Sequence, residues 1–333
     1  MDHSLALPLL IGLIALALAF DFLNGLHDAA NAIATVVATR LLSPVFAVLF
    51  AAAGNFAAYF FVGLHVAETV GKGIIQVDAV TPAVVFGALV GAMFWNVLTW
   101  IKGIPSSSSH ALIGGLLGAG MMHGGFGVVE SSGTIKTIAA IFVSPLLGFG
   151  IAMALMLVTS WLFKGTSPRQ SNSIFKSLHL LSSAAYSISH GGNDAQKTMG
   201  ITAVLLYSTG YMPEGFHVPH WVVLSCYLAI ALGTMSGGWK IIKTMGSKLT
   251  KLNHHSGFCA STAGSIVVFG ASALGIPVST THAITGSVVG TGAARRASAV
   301  RWSVASRVIV AWFITIPASA IVGALFYLLT RAF

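Results

Sequence analysis

One stretch of this chain is written twice. Gly103-Ile-Pro-Ser-Ser-Ser-Ser-His110-Ala-Leu-Ile-Gly114 returns 172 positions later as Gly275-Ile-Pro-Val-Ser-Thr-Thr-His282-Ala-Ile-Thr-Gly286, and nine of the eighteen residues in 103–120 are identical to their counterparts in 275–292. Two weaker echoes accompany it. Asn24-Gly-Leu-His-Asp28-Ala-Ala-Asn31 matches His190-Gly-Gly-Asn-Asp194-Ala-Gln-Lys197, and Pro145 matches Pro317, again 172 positions on. The same motifs in the same order imply two related halves, 1–163 and 177–333, joined by a basic linker at 164–176 with Gly165 and Pro168 inside it.

Each half must be built for a bilayer. Of the 333 residues 56% are hydrophobic and only 8% charged, where a water-exposed surface takes roughly a quarter charged residues. The apolar residues run without alternation through 5–20, 83–101, 138–163 and 308–329. Runs of about 20 apolar residues match the bilayer core, and only helices or closed barrels cross it. Continuous runs favour helices. Ten segments are expected: 5–38 and 174–207 (both interrupted), 45–65, 81–101, 105–122, 134–163, 220–238, 256–274, 276–292 and 304–330. The short segments 105–122 and 276–292 are either re-entrant or fully spanning. Five segments per half is an odd number, so the second half enters the membrane upside down. The fold class is all-α and polytopic, with two inverted-topology repeats and broken or re-entrant helices at the midplane, where such transporters bind substrate.

Loop charge sets the orientation. With both termini outside, 13 Lys and Arg residues fall on the inside and only Lys72, Lys136 and Arg331 outside; Lys197 sits within a segment. The positive-inside rule favours this orientation. The acidic residues Asp2, Glu68, Asp78, Glu130 and Glu214 belong to the outer connections. The first apolar segment has no Lys or Arg before it and runs directly into a polar motif, so it reads as a retained helix rather than a signal peptide. A net charge of +9 is spread over short loops without interleaved aromatics, which argues against nucleic acid. Cys226 and Cys259 lie in apolar stretches and make no disulfide or metal framework. No tightly bound metal or cofactor is expected.

The chemistry sits in the repeated motifs. Asp21, Asp28 and Asp194 are the acidic residues inside membrane segments, where an ionisable group is a functional candidate. Asp28 and Asp194 occupy matching places, each in a Gly/Asn/His-rich stretch expected to interrupt its helix and line a polar cavity. With Asn24, Asn31 and Asn193 they make an oxygen-rich setting for Na⁺, Mg²⁺ or a proton. Pro followed by Ser or Thr marks a helix start, and such starts present free N–H groups to phosphate-like anions. Ser106, Ser107, Ser108 and Ser109 in one half and Ser279, Thr280 and Thr281 in the other are therefore candidates to clamp one oxyanion from two sides. His27, His110, His282 and Lys197 are accessory candidates, Lys197 because it stands where the first half has Asn31.

These motifs resemble the inorganic phosphate transporter family, and the resemblance spans the whole chain. It implies cation-coupled phosphate uptake, an inverted-repeat helical fold and a homodimer in membrane lipid, with Asp28, Asn31, Asn193, Asp194 and Gln196 lining the central site and the two Ser/Thr clusters holding phosphate. His27 replaces the Asn of the commoner motif, which resembles the bacterial low-affinity branch. The resemblance to that branch implies proton coupling and phosphate moved as a neutral metal complex, which weakens the case for Na⁺; H⁺ or Na⁺ is the coupling ion, and Mg²⁺ is a candidate to travel with phosphate. The family also includes sulfate permeases. A bacterial inner membrane fits the basic inner loops. A passive anion channel uses similar residues. A Ser–His–Asp hydrolase, by contrast, has no need of a symmetrically duplicated motif.

Overall fold

The computed structural model describes residues 6–212 and 215–332; Asp2, Leu5 and Glu214 of the sequence reading lie outside the described residues. The described residues form twelve α-helices in order: α1 (Leu7–Ala38), α2 (Pro44–Ala57), α3 (His65–Lys72), α4 (Pro82–Lys102), α5 (Ser108–Gly124), α6 (Ser131–Leu162), α7 (Pro168–Ser208), α8 (His220–Ser236), α9 (Trp239–Lys243), α10 (His254–Ala273), α11 (Thr280–Arg295) and α12 (Trp302–Thr330). Proline opens α2, α4 and α7, because its fixed φ suits the first turn and its missing N–H costs nothing there. Helix α7 starts inside the segment read as a linker, with Ser167 as its cap.

The molecule is built for an apolar surround. On α6 the exposed side chains include Leu146, Leu157 and Trp161, and on α12 Phe313, Ile321 and Leu325, while Asp21, Asp28, Asn31, Asp194, His110 and Thr281 are buried. In water that arrangement would forfeit about 25 cal/mol for each Å² of apolar surface left exposed. Helices α1, α4, α6, α10 and α12 are long and apolar enough to cross a membrane. Two further helix pairs are long and apolar enough only when taken together, and both are sharply bent: residues 44–60 turn by 84° into α3, and α8 turns by 65° into residues 239–248. The sequence pattern ends its segments at 65 and 238, which leaves α3 and residues 239–248 in connections, whereas the structure makes each the bent continuation of the preceding helix.

The duplicated motif folds alike in both copies. Gly103 and Gly275 adopt φ of +64° and +66°, a left-handed conformation that only glycine takes freely. Ile104 N donates to Thr99 O and Ile276 N to Ala271 O, both at 2.9 Å, closing the same helix-ending turn. Pro105 and Pro277 then lead into Ser107 and Ser279, which cap α5 and α11 by accepting the amides of His110 and His282, each at 3.2 Å. These two helices have 17 and 16 residues, about 25 Å at 1.5 Å per residue. Both are buried along their first thirteen positions.

Packing is exchanged between halves. Helix α11 of the second half lies on α6 of the first, and α5 of the first lies on α12 of the second. Glycine makes room for this: Gly286 and Gly290 meet the backbone of Pro145 and Phe149, and Gly114 and Gly118 meet that of Ile316 and Ala320. Small residues four apart let membrane helices approach this closely.

One expectation is overturned. Helices α1 and α7 run unbroken through 24–31 and 190–197, although both stretches had been read as interruptions. Their glycines serve contact rather than breakage. A Cβ on Gly25 would fall 2.2 Å from the Ile230 carbonyl oxygen, and one on Gly191 2.5 Å from the backbone of Asn55. The chain instead breaks before α5 and α11.

Candidate functional site

Four elements converge in the interior: the middle of α1, the middle of α7, and the starts of α5 and α11. Along α1, Asp21, Asn24, Asp28 and Asn31 recur at helical spacing, and all are buried. On α7, His190, Asp194 and Lys197 do the same. Continuous helices hold these side chains more rigidly than the expected loops would.

The start of α11 reaches both carboxylates. Thr280 Oγ1 donates to Asp194 Oδ2 at 3.0 Å, and Thr281 Oγ1 donates to Asp28 Oδ1 at 3.4 Å. Asn31 Nδ2 donates to Thr281 at 2.9 Å and to Thr280 at 3.3 Å. Tyr186 donates its hydroxyl to the Thr280 carbonyl at 3.0 Å, fixing the turn. The start of α5 closes the other side. Ser106 Oγ donates to Thr99 Oγ1 at 2.9 Å and lies 3.3 Å from His27 Nε2; His27 Nδ1 is 2.7 Å from Asp28 Oδ1. Ser109 Oγ accepts from the Lys197 ammonium, which also donates to Asp194 Oδ1 at 2.5 Å and to the Val278 carbonyl at 2.9 Å.

Asp28, Asp194 and His190 each place one ligand atom within 4.8 Å of the other two, all buried. Two carboxylate oxygens and an imidazole nitrogen can hold a small cation. Two carboxylates within a few ångströms repel strongly in a low-dielectric interior, and a cation or proton relieves them. Asp21, nearer the N-terminus on the same helix, stands beside Asn24 and Thr198, but neither of its oxygens is in a well-formed hydrogen bond.

Several expected site residues have other duties. Gln196 accepts the Val66 and Ala67 amides at 2.9 and 3.2 Å and donates to the Gly63 carbonyl at 2.7 Å. It caps the first turn of α3, so its amide is fully used and is not free for an anion. Asn193 donates to Ser272 Oγ at 2.8 Å, tying α7 to α10. Ser107 and Ser279 are spent as helix caps, while Ser108 keeps a buried hydroxyl with no partner among the described residues. His110 and His282, matching residues of the repeat, meet each other with ring centroids 4.7 Å apart, and His282 stacks on Trp312.

Other residues escaped the sequence reading. Thr99 links His27 to Ser106, and Asn55 joins His190 (3.0 Å) to Thr234 (2.8 Å). Lone polar residues inside otherwise apolar runs were the available signal. At the surface, a cleft of about 320 Å³ lined by Glu68, Lys72, Glu130 and Lys136 reaches Gly275 and Pro277, just before α11.

A family model described as the phosphate transporter family matches residues 24–323. A protein of Rhizobium meliloti is 60% identical over 327 residues, covering 98% of both chains, and one of Bacillus subtilis is 42% identical over 330 residues, again 98% of both. Both are described as probable low-affinity inorganic phosphate transporters. Among solved structures, one described as the sodium-dependent phosphate transporter superposes with a TM-score of 0.90 at 26% identity, over 98% of this chain and 100% of that one.

Proposed function

The chain belongs to the phosphate transporter family, and on that premise we propose that it imports inorganic phosphate across a bacterial inner membrane by cation symport through alternating access. It is a membrane transport protein and not an enzyme. The observation that carries the finer reading is the pair of contacts Thr280–Asp194 and Thr281–Asp28.

In those contacts the hydroxyl hydrogens go to carboxylates. Phosphate needs the same hydrogens, and an anion beside two carboxylates is repelled. A cation or proton at Asp28, Asp194 and His190 takes over their negative charge. It thereby releases the two hydroxyls to the phosphate oxygens. The amides of Ser108 and Ser109 on α5 and of Thr280 and Thr281 on α11, which precede the capped His110 and His282 amides and have no acceptor within their helices, complete the clamp, with the Ser108 hydroxyl beside them. Coupling follows from this exchange: without the cation the anion site lacks donors and carries the wrong charge.

The packing of α6 on α11 and of α12 on α5 supports two halves of inverted topology that rock about the site. The contact between the matched residues His110 and His282 supports a local two-fold axis between them. The sodium-dependent transporter of the same fold supports cation coupling. The test is labelled phosphate uptake into proteoliposomes, with Na⁺ and pH gradients imposed separately and sulfate as competitor. Accumulation driven by one gradient and resistant to sulfate is expected. Downhill flux alone under every gradient contradicts symport and favours a channel.

A further inference from the structure

Asn31 and Lys197 hold matching positions in the two halves, and each touches the hydroxyl at the matching position of the other half's short helix. Asn31 reaches Thr281 on α11, and Lys197 reaches Ser109 on α5; residues 109 and 281 are themselves 172 apart. The geometry is repeated, and the chemistry differs by one full positive charge.

The ammonium is held by a carboxylate oxygen of Asp194, a hydroxyl of Ser109 and the backbone carbonyl of Val278. These oxygens come from three separate elements. Carboxylate, hydroxyl and carbonyl oxygens are also the donors that a hard alkali cation takes. Lys197 is 1% exposed, and burying a charge this deeply is costly unless every partner is in place. An ordinary pair three residues apart on a helix surface contributes little, which gives no reason for such burial.

We propose that the Lys197 ammonium is a tethered cation. It fills, in the second half, the position where an amide such as Asn31 would leave room for a mobile ion. The chain therefore moves one cation fewer per phosphate than the same site with an amide at 197, and the Asp194 Oδ1 side is closed to Na⁺. This rests on the reading of Asp28 and Asp194 as the cation-coupling carboxylates.

Na⁺ is the probe, applied to the full-length wild type and to Lys197→Asn. In proteoliposomes at fixed pH, phosphate uptake is compared in NaCl and choline chloride. In detergent, melting temperature is followed against NaCl without phosphate. Lys197→Asn is expected to lose about tenfold of its uptake in choline, to recover it in Na⁺, and to show a Na⁺ order higher by one than the wild type. It should also gain a Na⁺-dependent rise in melting temperature larger than that of the wild type. A folded Lys197→Asn with the wild-type response to Na⁺ in both assays overturns the proposal. So does a wild type that takes two Na⁺ per phosphate, and that result decides the matter even if the variant does not fold. The melting assay needs no phosphate, so a wild type that carries no phosphate refutes the transport reading separately.

Discussion

Thr280 donates its hydroxyl to Asp194 at 3.0 Å, and this bond ties the first turn of α11 to the middle of α7. In the proposed mechanism this donor passes to phosphate once a cation or proton relieves the carboxylate. Removing the hydroxyl while keeping the shape separates the two roles. Thr280→Val is expected to raise KM for phosphate about tenfold or more, since a hydrogen bond to a charged group contributes roughly 1.5–3 kcal/mol. Thr280→Ser should keep most of the affinity. An unchanged KM in Thr280→Val removes Thr280 from the anion site.

The caps act on stability. Ser107 and Ser279 accept matching amides at the same distance of 3.2 Å, so Ser107→Ala and Ser279→Ala should each cost about 1 kcal/mol. Thermal melting in detergent checks this. Both variants should fall by similar amounts, and a loss in only one contradicts equal capping in the two copies.

Asp21 is buried without a well-formed partner, which destabilises the fold and persists where a site needs it. Asp21→Asn is accordingly expected to raise the melting temperature and to lower concentrative phosphate uptake. A fall in both quantities would assign Asp21 a structural role instead.

Glycine within α1 discriminates contact from flexibility. Gly25→Leu drives a side chain into the Ile230 backbone, whereas Gly12 faces open space. The first variant should lose about 1–3 kcal/mol or fail to assemble. Gly12→Ala should gain up to about 1 kcal/mol from helix propensity. Detergent melting curves of the two report the difference, and a tolerated Gly25→Leu contradicts the close packing of α1 on α8.

The sequence led to the site through three signals: the repeat, the acidic residues inside apolar runs, and the Pro-Ser/Thr helix starts. It gave the wrong account of how the site is held. Gly25, Gly191 and Gly192 looked like helix breaks because glycine is permissive in isolation, yet tertiary contact with α8, α2 and Val62 keeps α1 and α7 helical. Gln196 looked like a ligand because it sits in the motif, but the motif cannot reveal that α3 folds back to place its first-turn amides on that side chain. Thr99 and Asn55 stand out in the sequence only as lone polar residues within apolar runs, and the partners that bring them and Tyr186 into the network are set by packing.

Coupling of cation and phosphate at Asp28 is tested most directly by Asp28→Asn in proteoliposomes. Concentrative uptake driven by an ion gradient is compared with phosphate–phosphate exchange at equilibrium, alongside a melting curve that confirms folding. A folded Asp28→Asn is expected to lose about tenfold or more of its gradient-driven accumulation, and its dependence on the driving ion. Accumulation and ion dependence equal to those of the wild type would contradict coupling at Asp28.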